Sequence, residues 1–164
     1  SSDLIRSILL RVKRMEHIPM EEVLVKMRGF LECHVDVGKT ELFMNWDHLK
    51  EMQEHGMEIG SHTDSHEILS HIDKAGQINE LKRSKNMLQK NLKVAISSFA
   101  YPVGTKGTYN EETIDALNEC GYKLAFTQLL GVNTRSNLNP LELRRLPIDG
   151  NIAADKIPQL ICLN

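Results

Sequence analysis

Gly60-Ser61-His62-Thr63-Asp64-Ser65-His66 places two imidazoles four residues apart. They directly follow a short run, Met57, Ile59 and Ser61, that alternates with Glu58 and Gly60 as a strand does. Histidines at this spacing on one helical turn aim both rings at one point. That suits a divalent ion such as zinc, which takes imidazole nitrogen at about 2.0–2.1 Å. Position strengthens the pattern, because ligands in α/β proteins gather at the carboxyl ends of strands. With seven histidines in the chain the spacing also arises by chance, so two solvated histidines at a strand end are the plain alternative. Thr63 stands where a metalloprotease H-E-x-x-H helix carries glutamate, which excludes that motif. His17, His34, His48, His55 and His71 lack comparable surroundings and read as solvated or capping residues.

A second candidate is Phe99-Ala100-Tyr101-Pro102-Val103-Gly104, again at the end of a strand-like run. Pro102 and Gly104 favour a tight turn whose N–H groups can point into a pocket. Donors of that kind stabilise an oxyanion, and removing one costs about 3–4 kcal/mol of transition-state stabilisation. Taken alone, the segment is also a common loop. In Leu143-Arg144-Arg145-Leu146-Pro147-Ile148 an arginine could reach a carboxylate or a sugar, or form a salt bridge at a strand edge. Cys33, Cys120 and Cys162 are odd in number and form no C-x-x-C pair, so they read as idle thiols.

The elements that must position these residues change character along the chain. Leu4, Ile5, Ile8, Leu9, Val12 and Met15 recur as one face of a helix. Pro19 opens a second helix with Val23, Leu24 and Met27. Residues 1–42 therefore read as a helical hairpin, and residues 43–164 as an α/β segment. In the latter, Asn45, Asp73 and Asn110 cap three helices, with Trp46, Leu49 and Met52, then Ile78, Leu81 and Leu88, then Ile114, Leu117 and Cys120 facing inward. Lys82, Arg83 and Lys85 face mostly outward. Strands are expected at 57–61, 94–100, 122–127 and 143–148. Alternating strands and helices imply βαβ units and a parallel sheet, too small here to close a barrel alone.

Composition narrows the function classes. Twenty Lys and Arg against 22 Asp and Glu give a net charge of −2, without the basic excess that nucleic-acid binding by phosphate neutralisation demands. Apolar residues at 41% can build a core, an aliphatic one given 5% aromatics. No apolar run is long enough to span a bilayer. The compartment stays open, with a bacterial cell envelope and the cytoplasm both compatible.

Taken in order, these stretches resemble the polysaccharide deacetylases of carbohydrate esterase family 4, the NodB-like domain. His62-Thr-Asp-Ser-His66 is similar to the family's H-[ST]-x-x-H metal motif, and Phe99-Ala-Tyr-Pro-Val-Gly104 to its groove motif. Gly121-Tyr-Lys-Leu-Ala-Phe-Thr127, Gly131-Val-Asn133 and Arg145-Leu-Pro-Ile148 continue the likeness, which runs from about Phe43 to Gly150. The resemblance implies a partial (β/α) barrel preceded by a helical insertion at 1–42. It implies His62 and His66 as metal ligands, most often for zinc, the Val103 N–H as oxyanion donor, and Tyr101 and Pro102 as substrate-binding residues. The implied chemistry is metal-assisted hydrolysis of N-acetyl groups on a polysaccharide or oligosaccharide. The family's T-F-D-D-G segment, with its metal-binding and base aspartates, has no counterpart in the chain, and no histidine follows His71. The chain then reads as the C-terminal part of such a domain, inactive alone, with a non-catalytic carbohydrate-binding module as the alternative.

Overall fold

Each of three helices begins at the side chain that the sequence offers as a cap. In a computed structural model of the chain, α1 (Trp46–Glu54) starts at Asn45, whose side chain accepts from the N–H groups of Asp47 and His48 at 3.0 and 2.9 Å. The His48 ring returns the favour by accepting from the Asn45 N–H at 3.3 Å. Helix α2 (Lys74–Leu92) is capped by Asp73, which accepts from the Gly76 N–H at 2.8 Å. Helix α3 (Glu111–Glu119) is capped by Asn110 in a reciprocal pair with Thr113. Such caps satisfy N–H groups that a helix start leaves without partners.

The structure describes Glu22, Val25 and Gly29, residues 43–136 and 138–146, and residue 148. The chain divides into two compact units, Ser1–Met44 and Asn45–Asn164. Glu22, Val25 and Gly29 of the first are helical; the rest of the hairpin expected over 1–42 lies outside the described residues, as do Cys33 and Cys162.

In the second unit, β1 (Ser98–Ala100), β2 (Leu124–Leu130) and β3 (Leu143–Arg145) form a sheet of order β1-β2-β3, parallel throughout. Helix α3 makes the crossover from β1 to β2. Between β2 and β3, none of the described residues of 131–142 is helical. The strand expected at 57–61 reduces to a single parallel bridge, Ser61 to Phe99. Among the described residues, 57–60 pair with no neighbouring strand, and Thr63, at φ 65, turns the chain off the sheet beyond Ser61. The strand expected at 94–100 starts only at Ser98, where pairing with Leu124 begins.

One face of the sheet makes the core. Phe99 and Ala125 pack with Leu69, Leu81, Ile96, Tyr101, Ala116, Leu117, Tyr122 and Leu141, all buried. The buried stripe of α2 runs Gln77, Glu80, Leu81, Ser84 and Leu92, more polar than the Ile78-Leu81-Leu88 face expected, and Ile78 and Leu88 are only half-buried. On α1 nothing is buried, and Trp46 is 37% exposed rather than inward. Lys85 does not face outward. Its ammonium donates to the carbonyls of Cys120 and Gly121 at 2.7 and 3.1 Å and lies 4.5 Å from the Tyr122 ring centre, closing the end of α3.

Leu81 is fully enclosed, so Leu81→Ala is expected to lower unfolding free energy by about 2–5 kcal/mol in a urea titration. Tyr122, whose hydroxyl donates to the Leu81 carbonyl at 3.1 Å, carries a second expectation. Burial pushes its phenol up to about 12, against the Ser61 and Ser84 hydroxyls, which favour the charged form. A phenol raised above its unfolded value of about 10 contributes stability that is complete below pH 10 and lost as pH rises through 12. Burial lowers the Lys85 ammonium, which acts in the opposite sense. Tyr122→Phe, compared with wild type at pH 8, 10 and 11, should therefore show a shallower alkaline loss of stability.

Candidate metal centre

His62 leaves the sheet one residue after the Ser61 bridge, and its Nδ1 lies 2.7 Å from the carbonyl of Ala100, the last residue of β1. A carbonyl accepts only, so Nδ1 carries a proton, and in the neutral ring that leaves the lone pair on Nε2. The His66 ring sits edge-on to that of His62, with centroids 4.8 Å apart and planes at 75°. Both residues are exposed. The expected proximity of the two rings is present, but not by the expected route, since 62–66 is not a helical turn. Two left-handed residues, Thr63 at φ 65 and His66 at φ 62, fold the loop back on itself. Each costs about 1–2 kcal/mol outside glycine, so neighbouring groups must hold the shape.

Those groups come from α2. Glu80 Oε2 accepts from the N–H groups of Asp64 and Ser65 at 3.0 and 2.8 Å. Arg83 pairs with the Asp64 carboxylate at 2.9 Å, across a surface where the arginine is 60% exposed. The Ser61 and Ser84 hydroxyls bond beneath the loop. Sequence reading missed Glu80, Ser84 and the partner of Arg83. The available signal was the polar spacing Gln77, Glu80, Ser84 on one helix face.

The second candidate segment is a turn strapped to β2. The Tyr101 N–H donates to Phe126 O at 3.1 Å, Gly104 N–H to Pro102 O at 2.6 Å, and Gln128 N–H to Gly104 O at 2.7 Å. The middle bond closes a three-residue turn around Val103, a β-branched residue at φ 60. Such strain in a bulky residue clusters at functional sites. Among the described residues no acceptor takes the Val103 N–H. Gly104 is required: at φ 66, a Cβ there would lie 2.9 Å from the Gln128 nitrogen. Tyr101 and Pro102, expected to touch substrate, are buried instead. The Tyr101 hydroxyl donates to Leu141 O at 2.6 Å, and its ring stacks on Tyr109. Tyr101 thus anchors the start of the turn, and Pro102 is part of it, its carbonyl accepting from Gly104.

The sheet face opposite the core, Ser98, Ala100, Leu124 and Phe126, lines a cleft of about 390 Å³ together with Glu58, Gly60 and His62. Gly60 fits there because a Cβ would meet the Ser98 hydroxyl at 2.9 Å. The arginines of β3 stay out of this site. Arg145 Nε donates to Thr127 O at 2.6 Å and an Arg144 guanidinium nitrogen to Leu130 O at 3.2 Å, bonds to β2 carbonyls rather than to a carboxylate.

The donor set fits part of a metal site. A ligating histidine ordinarily donates its other ring nitrogen to a carbonyl or carboxylate, as His62 does to Ala100. Among the described residues, no group of three His, Cys, Asp or Glu is placed to share one ion.

The sequence profile of the polysaccharide deacetylase family matches residues 27–125, more than half of the 164 residues, and the chain belongs to that family. The match begins inside the 1–42 stretch read as an insertion and ends before Gly131. A Bacillus subtilis (strain 168) protein, YxkH, which carries the same family in its name, is 34% identical over 89 residues, 54% of this chain and 31% of its own length. The structure of the Streptococcus pyogenes deacetylase PplD in complex with acetate aligns at TM-score 0.68 and 29% identity, over 75% of this chain and 53% of PplD. A polysaccharide deacetylase from Bacillus cereus shares the fold at TM-score 0.63 and 24% identity, over 77% of this chain and 38% of its own. The chain thus spans about a third to a half of the length of these relatives. Its mixed α/β architecture and parallel sheet are those of a partial deacetylase-type (β/α) barrel.

The strained turn yields an asymmetric expectation for thermal or urea unfolding. Gly104→Ala should cost about 2 kcal/mol or more, since the new methyl is both left-handed and crowded. Val103→Gly, which relaxes the turn, should change stability by less than about 1 kcal/mol.

Proposed function

We propose that the parent protein removes N-acetyl groups from a polysaccharide or oligosaccharide in a metal-dependent hydrolysis, with His62 and His66 as two of the ligands. The observation that carries this reading is the pair of rings 4.8 Å apart, one fixed through Nδ1 to the end of a strand. Family membership supplies the reaction class. Zinc is an ion that imidazole donors suit and the one the family resemblance favours; when bound, such an ion polarises an acyl oxygen and acidifies water.

The chain's own residues do the following. The Ala100 carbonyl keeps the His62 proton on Nδ1 and so keeps Nε2 available as a donor. The Val103 N–H, which no described acceptor occupies, is a hydrogen-bond donor for an oxygen that gains charge during acyl transfer. Tyr101, through its bond to Leu141 O, anchors the start of that turn, and Tyr101 and Pro102 are both buried. The cleft along Ser98, Ala100, Leu124 and Phe126 offers room for a saccharide ring beside His62. The sequence carries no counterpart of the family's T-F-D-D-G segment, so on this reading the polypeptide alone binds zinc weakly and releases acetate slowly.

Zinc added in excess should raise the melting temperature of the polypeptide, by an amount equivalent to about 2.7 kcal/mol at one hundred times the dissociation constant. His62→Ala and His66→Ala should each abolish the rise, and dialysis should strip the metal. Identical melting of wild type and both variants with and without zinc would overturn the metal assignment. Dialysis-stable stoichiometric zinc with rapid acetate release from chitooligosaccharides would overturn the claim of weak activity for the chain alone.

A further inference from the structure

We infer that Glu80 is the positioning residue of the two-histidine site, its carboxylate holding the 62–66 loop in the shape that brings the imidazoles together. What the imidazoles then do rests on the metal reading above; the restraint itself does not. Three observations lead to it. Glu80 is buried at 9% exposure in the middle of α2, where an ionised carboxylate needs hydrogen-bond donors. One of its oxygens accepts from two consecutive backbone N–H groups, those of Asp64 and Ser65. Those two residues lie between the left-handed Thr63 and His66.

Consecutive N–H groups converging on one point form a concavity for an anion. Here the anion is part of the protein. With the carboxylate in place, the loop cannot unwind without leaving two donors and a buried charge unpaired. The Arg83–Asp64 pair cannot do this work, because its arginine is largely solvated and such pairs are weak. Bonding from the Ala100 carbonyl fixes His62 alone. The backbone between the two histidines sets where the His66 side chain starts relative to His62, and that backbone is where Glu80 acts.

Chemistry separates the variants cleanly. Glu80→Gln keeps an acceptor oxygen at the same reach. Glu80→Asp keeps the charge but withdraws it by one methylene, and Glu80→Ala removes the acceptor. Cobalt(II) titration of the polypeptide, followed by d–d absorption, reads the geometry of the two-imidazole site, with His62→Ala as the control for that site. Glu80→Ala and Glu80→Asp are expected to weaken cobalt affinity about tenfold or more, with a changed band shape, and Glu80→Gln to remain within a few-fold of wild type. Leu88→Ala, a half-buried change on the same helix, should lower the melting temperature while leaving the cobalt spectrum unchanged. Glu80→Ala or Glu80→Asp binding cobalt as wild type does overturns the proposal, and should Glu80→Ala fail to fold, Glu80→Asp decides it. If wild type itself takes up no cobalt, the metal reading falls and amide hydrogen exchange decides the positioning claim. Exchange at Asp64 and Ser65 at least tenfold faster in Glu80→Asp, but not in Glu80→Gln, supports it; equal exchange in all three proteins overturns it.

Discussion

A single backbone pairing governs the site. Ser61 donates to Ser98 O at 3.0 Å and accepts from the Ala100 N–H at 2.8 Å. In a continued parallel ladder, the next donor to the Ala100 carbonyl would be the N–H of Thr63. Thr63 instead turns left-handed, and the His62 imidazole occupies the carbonyl in its place at 2.7 Å. The ring thus completes the sheet where the backbone abandons it. That substitution fixes the tautomer of the neutral ring, and it explains why the pairing does not continue beyond Ser61.

How much of this was legible in the sequence depends on whether the information was local. Caps are local, and Asn45, Asp73 and Asn110 start their helices where their side chains said they would. The parallel sheet followed from alternation of elements, and the family followed from ordered motifs. Strand ends were not legible, because a strand exists only where a partner lies. Val94 to Ser97 alternates well enough, yet β1 starts at Ser98, while β2 runs on to Leu130 because Arg145 of β3 pairs with it.

Inward polar residues were the other blind spot. Reading α2 by its apolar residues gave a stripe through Ile78, Leu81 and Leu88, all of which pack in or against the core, but it left out Gln77, Glu80 and Ser84, which are buried around Leu81. Hydrophobic periodicity finds a helix face that packs on a core. It misses a face that must satisfy backbone N–H groups and hydroxyls of an adjoining loop, since that work requires acceptors. Lys85, one turn after Leu81 on α2, follows the same logic, its cation spent on the carbonyls that end α3. Even the histidine pair was legible in type and spacing but not in mechanism, because a helical turn and a doubly left-handed loop can both bring residues four apart together.

Parallel topology explains why the two candidate segments belong to one end of the sheet. Ser61 runs parallel to β1, so His62 and the Tyr101–Gly104 turn both depart from carboxyl ends of neighbouring segments. In open and closed α/β sheets alike, that end is where ligands bind, because loops there can vary while the strands stay fixed. Both departures are made in unfavourable backbone geometry, at Thr63 and His66 on one side and at Val103 on the other. Both are restrained from behind, by the Glu80 carboxylate and by the bonds from the turn to Phe126 and Gln128 of β2. A loop free to relax would shed such strain, so its persistence on two adjoining strand ends shows that the surrounding hydrogen bonds outweigh it at this end of the sheet.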